Sequence, residues 1–304
     1  MNLYKSFGYK IIKKWFDEKQ YVPFPFQEET WQHIIHKKSG LVNAPTGCGK
    51  TFSVFLGAII SFMNDNPKSY QSKNNTALCL LWVTPLRALA KDICRAMEEV
   101  IDELGMNWQI GIRNGDTNLA DRQKQKKHMP EVLIITPESL HLLLAQKNYS
   151  GVFKSLQIIV VDEWHELLGS KRGVQVELAI SRLANIGSKT NLSVWGISAK
   201  IGNLEQAKEV LLSPVLSGLA GNAKGETVSA QITKPISIES IFPDEIEKFP
   251  WAGHLGIKLI NKVIPIIMNS KTTLLFINTR GMSEMWYQAL LTACPELAGA
   301  IAIH

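Results

Sequence analysis

The chain has 304 residues, of which 45% are hydrophobic and 20% are charged, and its formal net charge is +6. These values are typical of a globular protein with a sizeable core, and they exclude a repeat or low-complexity protein. The positive charge indicates an anionic partner, although a general excess of lysine would give the same value. No apolar run is long enough to span a bilayer, so we expect no membrane partner. The four cysteines have no paired spacing, which predicts neither disulfides nor zinc and favours a reducing cytoplasm.

A glycine-rich segment near the N-terminus predicts a nucleoside-triphosphate site. The segment is Ala44–Thr51, with Ala44 where the usual pattern has its first glycine. Its backbone N–H groups can curl around phosphate oxygens, Lys50 adds a charge that reaches the β- and γ-phosphates, and Thr51 offers a hydroxyl to Mg²⁺. Upstream, Gln27 is placed to read an adenine edge with both amide groups. The loop residues expected to bind ATP are Thr46, Gly47, Cys48, Gly49, Lys50 and Thr51.

Short apolar runs alternate with helical patterns along the next part of the chain. The runs are Leu41–Asn43, Leu78–Val83, Val132–Ile135, Ile158–Val161 and Asn191–Ile197, and apolar spacing from Leu86 to Leu104 predicts a crossover helix. Near-continuous apolar strands belong to parallel sheets that are buried on both faces. The predicted fold class is therefore α/β, a three-layer P-loop domain with a parallel sheet and with ligands at the C-terminal ends of the strands.

Polar and charged groups follow two of these strands and suit contacts with a nucleic-acid backbone. Thr84 and Arg87 come after the second strand, and Thr136 and Glu138 come after the third. Such groups position a nucleic-acid strand without reading its sequence. A second interpretation remains open for Thr136, because Thr-Pro-Glu is also a good helix start. The basic cluster Arg122–His128 likewise has two interpretations, a nucleic-acid track or a solvated helix face.

An acidic pair at the end of the fourth run completes the predicted nucleotide site. Asp162 and Glu163 directly follow Val161. We expect Asp162 to hold the same Mg²⁺ as Thr51, and Glu163 to orient or deprotonate the attacking water. Lys50, Asp162 and Glu163 are therefore the candidate catalytic residues, and the expected cofactors are ATP and Mg²⁺.

The composition then changes, because proline and glycine recur from Ser213 to Gly256. This pattern predicts a linker, with strand-like alternation at Val228, Ala230 and Ile232. A new β-α-β pattern follows, with a strand at Thr273–Asn278, a helix around Met282–Thr292 and a strand at Gly299–Ile303. One such unit cannot cover both faces of a parallel sheet, so we expect an incomplete second domain, either because the chain is a fragment or because a partner completes the domain.

In this order the motifs resemble those of the superfamily 2 helicases. More narrowly, the chain resembles the bacterial ligase-associated DEXH-box helicases of the large-helicase-related (Lhr core) group, over nearly all of its length. The segments that carry the resemblance are Asp162–His165, Trp164–Gly173, Ser198–Lys200, Pro250–Gly256 and Asn278–Arg280.

The resemblance implies an ATP-driven motor that moves 3′ to 5′ along single-stranded DNA and opens duplexes. His165, Ser198 and Lys200 would couple the ATP site to the strand, although Lys200 stands where the family usually has threonine. Thr279 and Arg280 would contact the sugar–phosphate backbone. The expected partner is single-stranded or partly duplex nucleic acid, with DNA favoured over RNA. A DNA ligase or a nuclease is a candidate protein partner, and we expect a monomer.

The resemblance also implies a domain arrangement. A first RecA-like domain would span residues 1–242, a linker residues 243–256, and the incomplete start of a second RecA-like domain residues 257–304. We expect an N-terminal fragment whose arginine fingers lie beyond His304, so that hydrolysis is slow. Two interpretations of this chain remain open: a weakly active motor fragment, or a module that binds ATP and nucleic acid without driving movement.

Overall fold

The computed structural model describes residues 1–72, 77–186, 192–199, 201–216, 225–232, 236–243 and 256–303. The chain divides into two compact units, Met1–Thr233 and Lys234–His304. The end of the first domain was predicted nine residues later, at residue 242 (242 − 233). Most of the predicted linker, residues 244–255, lies outside the described residues. Within the described ranges, no helix has the length and apolar character that crossing a bilayer requires.

The first unit alternates helices and strands. Its helices are α1 (Phe7–Glu18), α2 (Pro25–Ile35), α3 (Lys50–Asp65), α4 (Arg87–Glu103), α5 (Leu119–Lys127), α6 (Pro137–Leu144), α7 (Tyr149–Val152), α8 (Trp164–Leu167), α9 (Lys171–Ala184) and α10 (Leu204–Leu216). Its strands are β1 (Gly40–Asn43), β2 (Leu80–Val83), β3 (Ile110–Arg113), β4 (Val132–Ile135), β5 (Ile158–Val161), β6 (Ser193–Ser198) and β7 (Glu226–Ser229).

These seven strands form one sheet in the order β3-β4-β2-β5-β6-β1-β7, and each neighbouring pair is parallel. The register brings the last residues of β3, β4, β2 and β5 level with one another, and those of β6, β1 and β7 level two residues further on. Asn43 is paired with Ser198, and Val83 is paired with both Val161 and Ile135. The loops that follow the strands therefore emerge along one edge of the sheet. The predicted α/β fold with a parallel sheet is confirmed.

Helices cover both faces of the sheet because successive strand residues point to opposite sides. Leu80 and Trp82 of β2 join a core cluster with side chains of α1, α2, α3 and α4. Leu81 and Val83 of the same strand join a second cluster with α6, α8, α9 and α10. Burying a large apolar side chain contributes about 1.5–3 kcal/mol. The two cores therefore hold the sheet rigidly between two helical layers.

Five of the strands lie where apolar runs predicted them, namely β1, β2, β4, β5 and β6. The edge strand β3 was not predicted from the sequence. Its first three residues, Ile110–Ile112, are only half buried, and the short segment has no continuous apolar run. The edge strand β7 contains Val228, but it ends before Ala230 and Ile232, where the strand-like alternation was predicted to continue. Edge strands carry a weaker pattern because only part of their surface faces the core.

The second unit is described from residue 256 and contains α11 (Ile260–Asn269) and α12 (Arg280–Ala293). Helix α12 covers the helix that was predicted around Met282–Thr292. The strands predicted at Thr273–Asn278 and Gly299–Ile303 are wrong for this structure, because neither segment has strand conformation. A β-strand needs hydrogen bonds from a neighbouring strand, and residues 256–303 offer none.

Gly8 marks a close approach of α1 to α3 and gives a test of this packing. A Cβ at Gly8 would lie 2.6 Å from the backbone oxygen of Ile60, and the Gly8 N–H already donates to Asn64 Oδ1 at 2.8 Å. We expect Gly8→Ala to lower the free energy of unfolding by about 1–3 kcal/mol, because both helices must shift. Urea denaturation measures the change. Gly151→Ala is the matched control, since nothing lies within 4 Å of its added Cβ, and equal midpoints for the two variants would contradict the expectation.

Candidate active site

The loop between β1 and α3 has a backbone that only glycine adopts readily. Gly47 and Gly49 have φ of 79° and 72°, in the left-handed region. Helix α3 begins directly afterwards at Lys50, and no side chain caps its N-terminus. The first N–H groups of a helix lack partners within the helix and carry its positive dipole end. The loop therefore presents donors suited to phosphate oxygens.

Lys50 follows this loop as the first residue of α3, and its buried ammonium has an ion pair but no hydrogen bond. The side chain is only 8% exposed, and its Nζ has no hydrogen-bond partner. The nearest carboxylate oxygen is Glu163 Oε1 at 3.9 Å, which is an ion-pair distance but too long for a hydrogen bond. A buried ammonium without hydrogen bonds is costly, and an anion bound in the loop would remove that cost. The residues present therefore fit a phosphate group.

Asp162 and Glu163 follow β5 at the same edge of the sheet. Asp162 Oδ1 accepts from the backbone N–H of Glu163 at 3.0 Å, and Oδ2 accepts from Trp82 Nε1 at 3.4 Å. Burial raises the pKa of Asp162 to about 6, and the charge of Glu163 adds to the shift against the smaller opposing effects of Trp82 and Lys50. Glu163 itself has left-handed backbone angles, φ 46° and ψ 48°, which are uncommon for a residue with a side chain.

A buried tryptophan fixes the orientation of this acidic segment. Trp164 is fully buried, and its Nε1 donates to the Ala207 carbonyl oxygen of α10 at 2.9 Å. The residue after it, His165, places Nδ1 at 3.4 Å from Glu163 Oε2 and 3.1 Å from Ser198 Oγ. With Trp164 held against α10, the neighbouring His165 contacts both Glu163 and Ser198, which lies at the end of strand β6.

Ser198 lies between the acidic segment and the phosphate loop. Its side chain contacts His165, and its backbone oxygen accepts from the Ala44 N–H at 3.1 Å. Strand β6 lies between β5 and β1 in the sheet. Ser198, at its end, therefore contacts the segment after β5 through His165 and the loop after β1 through Ala44. The structure thus brings together the candidates Lys50, Glu163, His165 and Ser198. Lys200, the other residue assigned a coupling role, lies outside the described residues.

Gln27 holds the phosphate loop in this structure. Its Oε1 accepts from the backbone N–H of Phe24 at 2.9 Å, and its Nε2 donates to the Gly49 carbonyl oxygen at 3.0 Å. The side chain is buried against the loop, and a Cβ at Gly49 would lie only 2.7 Å from that nitrogen. Both amide groups therefore bind the protein backbone. Adenine recognition by Gln27 stays a prediction.

The predicted nucleic-acid contacts after β2 and β4 differ in exposure. Thr84 and Thr136 are 0% and 2% exposed, and Thr136 Oγ1 donates to Ser139 Oγ at 3.2 Å. Helix α6 begins immediately after Thr136, as the helix-start interpretation predicted. Arg87, by contrast, is exposed at the start of α4 and pairs with Asp116 at 3.3 Å. Of these candidates, only the side chain of Arg87 offers an exposed positive charge.

Glu138, the fourth residue of this group, is held by an arginine that sequence patterns did not single out. Arg172 of α9 places Nε at 2.7 Å from Glu138 Oε1 and Nη2 at 3.4 Å from Oε2. The same Nη2 donates to the Pro85 carbonyl oxygen at 2.9 Å. Arg172 thus joins the loops after β2 and β4. The available signal was its position in Trp164–Gly173, one of the segments that carry the resemblance.

The remaining two candidates lie in the second unit at the start of α12. Thr279 caps this helix by accepting from the Met282 N–H at 3.3 Å. The Arg280 side chain is 91% exposed, with Nε 3.2 Å from Glu284 Oε1. Their proposed contacts with nucleic acid stay a prediction.

The Arg172 contacts predict a local effect on the two loops. We expect Arg172→Ala to leave the free energy of unfolding within about 1 kcal/mol of the wild type, because the ion pair is partly exposed. Hydrogen–deuterium exchange should nevertheless become faster around Pro85 and in the first turn of α6. Lys171→Ala removes the same charge from the preceding, exposed residue and serves as the control. Unchanged exchange in both variants would show that Arg172 does not fasten the loops.

Comparison with known proteins adds independent information. The sequence profile of DEAD/DEAH box helicases matches residues 24–207. The chain is 31% identical to the ATP-dependent helicase Lhr-Core of Sulfolobus acidocaldarius, over 90% of this chain and 31% of that protein. It is 32% identical to Lhr-Core of Methanocaldococcus jannaschii, over 90% of this chain and 32% of that protein. The chain therefore spans about a third of the length of these curated relatives.

A solved structure shows the same fold. The Mycobacterium smegmatis helicase Lhr bound to ssDNA and AMP-PNP has a TM-score of 0.69 and 24% identity, over 97% of this chain and 36% of that one.

Proposed function

The chain belongs to the DEAD/DEAH box helicase family, and from that premise we propose that it is the ATP-binding part of a motor that moves 3′ to 5′ along single-stranded DNA. The observation that carries the proposal is the buried Lys50 ammonium without a hydrogen bond, 3.9 Å from the Glu163 carboxylate. Lys50 follows a loop whose backbone suits phosphate, and Glu163 faces it from the end of β5. His165, beside Glu163, contacts Ser198 at the end of the neighbouring strand β6. ATP hydrolysis is the reaction that this arrangement fits best.

ATP would be held by the glycine loop and Lys50, with Thr51 and Asp162 binding Mg²⁺. Among the described residues, no group of three or more His, Cys, Asp or Glu side chains is placed to hold a metal. That suits Mg²⁺, which is commonly bound by one or two protein groups together with phosphates and water. Asp162 is ionised above its raised pKa, so the neutral range favours metal binding. Bound ATP supplies a γ-phosphate that water can attack.

Glu163 is the residue proposed to handle the attacking water. Its Oε2 is buried without a hydrogen bond, so this oxygen retains its capacity to accept a proton. His165 Nδ1 lies 3.4 Å from this oxygen, while the other carboxylate oxygen lies 3.9 Å from Lys50 Nζ. A movement of the Glu163 side chain on hydrolysis would therefore displace His165 first and then Ser198 at the end of β6.

The resemblance to Lhr-Core helicases supports a DNA strand as the track, with Arg87 and Arg280 as its charged contacts. A second RecA-like domain from residue 257, a DNA ligase or nuclease partner, a role in DNA repair and a monomeric cytoplasmic protein remain predictions from that resemblance.

The proposed division of labour between Lys50 and Glu163 can be tested directly. Lys50→Ala should weaken Mg·ATP binding on the order of 10–100-fold, because a charge-assisted contact with phosphate is lost. Glu163→Gln should leave ATP affinity within about threefold but slow hydrolysis by at least roughly 100-fold, since an amide cannot take the proton. Equilibrium binding and single-turnover hydrolysis with excess protein separate the two effects. Equal loss of affinity in both variants would refute the assignment.

The proposed backbone track predicts binding that depends on salt and not on base sequence. Arg87→Ala should make the slope of log binding constant against log salt shallower by about 0.7 for a single strand. The change should be the same for oligonucleotides of different sequence. Arg95→Ala, an exposed arginine on the same helix, should leave the slope unchanged. A strongly base-dependent effect of Arg87→Ala would rule out a backbone contact.

A further inference from the structure

A cleft of about 570 Å³ lies along the edge strand β3, away from the nucleotide loop. Helix α4 forms one wall and helix α5 the other, while Ile110 and Ile112 of β3 contribute to its lining. Arg87 and Lys91 line it from α4, and Lys124 lines it from α5. The cleft therefore combines an apolar strand with cations from two helices.

The acidic groups of the cleft already have partners. Asp116 pairs with Arg87 at 3.3 Å, and the Asp121 carboxylate accepts from Asn118 Nδ2 at 3.0 Å at the start of α5. Lys91 and Lys124 are exposed, and neither side chain has a hydrogen bond or ion pair with another described residue. Asn118 is neutral and leaves the Asp121 charge in place, but the three cations Arg87, Lys91 and Lys124 outnumber the two carboxylates that line the cleft, so its net charge is positive.

The floor of the cleft does not accept another β-strand. Gln125 is buried, donates from Nε2 to the Ile112 carbonyl oxygen at 3.0 Å and accepts from Arg113 Nη1 at 3.3 Å. Its side chain occupies the free edge of β3, where an added strand would have to pair. A ligand in this cleft therefore cannot be held by backbone pairing with β3, and the side chains that line the cleft must recognise it.

Arg87 connects the cleft to the candidate strand-binding loops. Its guanidinium lies against Gly115, where an added Cβ would be 2.8 Å from Nη2, so the absence of a side chain there leaves room for it. Lys91 follows one helical turn later, about 6 Å along α4. Cations repeated at such an interval suit successive phosphates of an extended strand.

We propose that this cleft binds the phosphate backbone of single-stranded nucleic acid that continues from Arg87 past Lys91 and Lys124. The inference rests on the proposed function, because it extends the same track along the edge of the sheet. It also separates the two interpretations of the basic cluster on α5. Lys124 and His128 line the cleft and belong to the track, whereas Lys126 and Lys127 do not line it.

The test compares two double variants with the same loss of charge. Binding of a fluorescent oligo-dT of about 20 nucleotides to the 304-residue chain is measured at several salt concentrations. For Lys91→Gln/Lys124→Gln, the slope of log binding constant against log salt should become shallower by about 1.4, or two contacts at 0.7 each. Lys126→Gln/Lys127→Gln should keep the wild-type slope. Circular dichroism checks that all proteins are folded.

Each other outcome has a definite meaning. Equal losses in both double variants would overturn the cleft in favour of general charge attraction, and so would wild-type binding by Lys91→Gln/Lys124→Gln. Inorganic phosphate or ATP that binds through Lys91 and Lys124, with oligo-dT binding unchanged, would also overturn a strand site. If the wild-type chain does not bind oligo-dT at all, the proposed function fails together with the cleft. If the wild-type chain binds oligo-dT and the Lys91→Gln/Lys124→Gln variant binds it equally well, only the cleft proposal fails and the proposed function stands.

Discussion

The parallel register of β5, β6 and β1 determines where the candidate reactive groups lie. Strands β6 and β1 end level, because Asn43 is paired with Ser198, whereas β5 ends two residues earlier, level with Gly196, so that its continuation at Asp162 and Glu163 runs beside the end of β6. The side chains that follow them need no long reach to meet. A slip of one residue in β6 would turn Ser198 to the other face and break its contact with His165. The two apolar cores resist such a slip, since it would expose one side of the strand.

The nucleotide loop is electrostatically incomplete by itself. Lys50 is buried without a hydrogen bond, and the Asp162 carboxyl has a raised pKa because burial disfavours its charge. Each of these groups costs stability in the ligand-free protein, and the surrounding cores offset that cost. A bound anion and a cation would satisfy both groups together. The same features that weaken the free protein are those that would favour a magnesium-bound polyphosphate.

The sequence predicted the parts of the site that depend on local chemistry. Gly47, Gly49 and Lys50 are recognisable because a phosphate loop requires particular backbone angles and a charge at fixed spacing, and Asp162 stands out because it ends an apolar strand. Contacts between distant residues left no such pattern. The link from Arg172 to Glu138 spans 34 positions and depends on how α9 packs against α6. For the same reason, β3 could not be predicted, since its hydrogen bonds to β4 matter more than its own composition.

The two hydrogen bonds of Gln27 have a consequence for nucleotide selection. The Gln27 amide, which was expected to recognise a base, donates a hydrogen bond to the carbonyl oxygen of Gly49. Gly49 directly precedes Lys50. The oxygen of the Gln27 amide is likewise occupied by the Phe24 N–H. A base that recruits either group must compete with the loop for it or share it. Different bases would then change the conformation of the phosphate loop to different extents. The affinity of the loop for the phosphates would therefore depend on the base, through the side chain of Gln27.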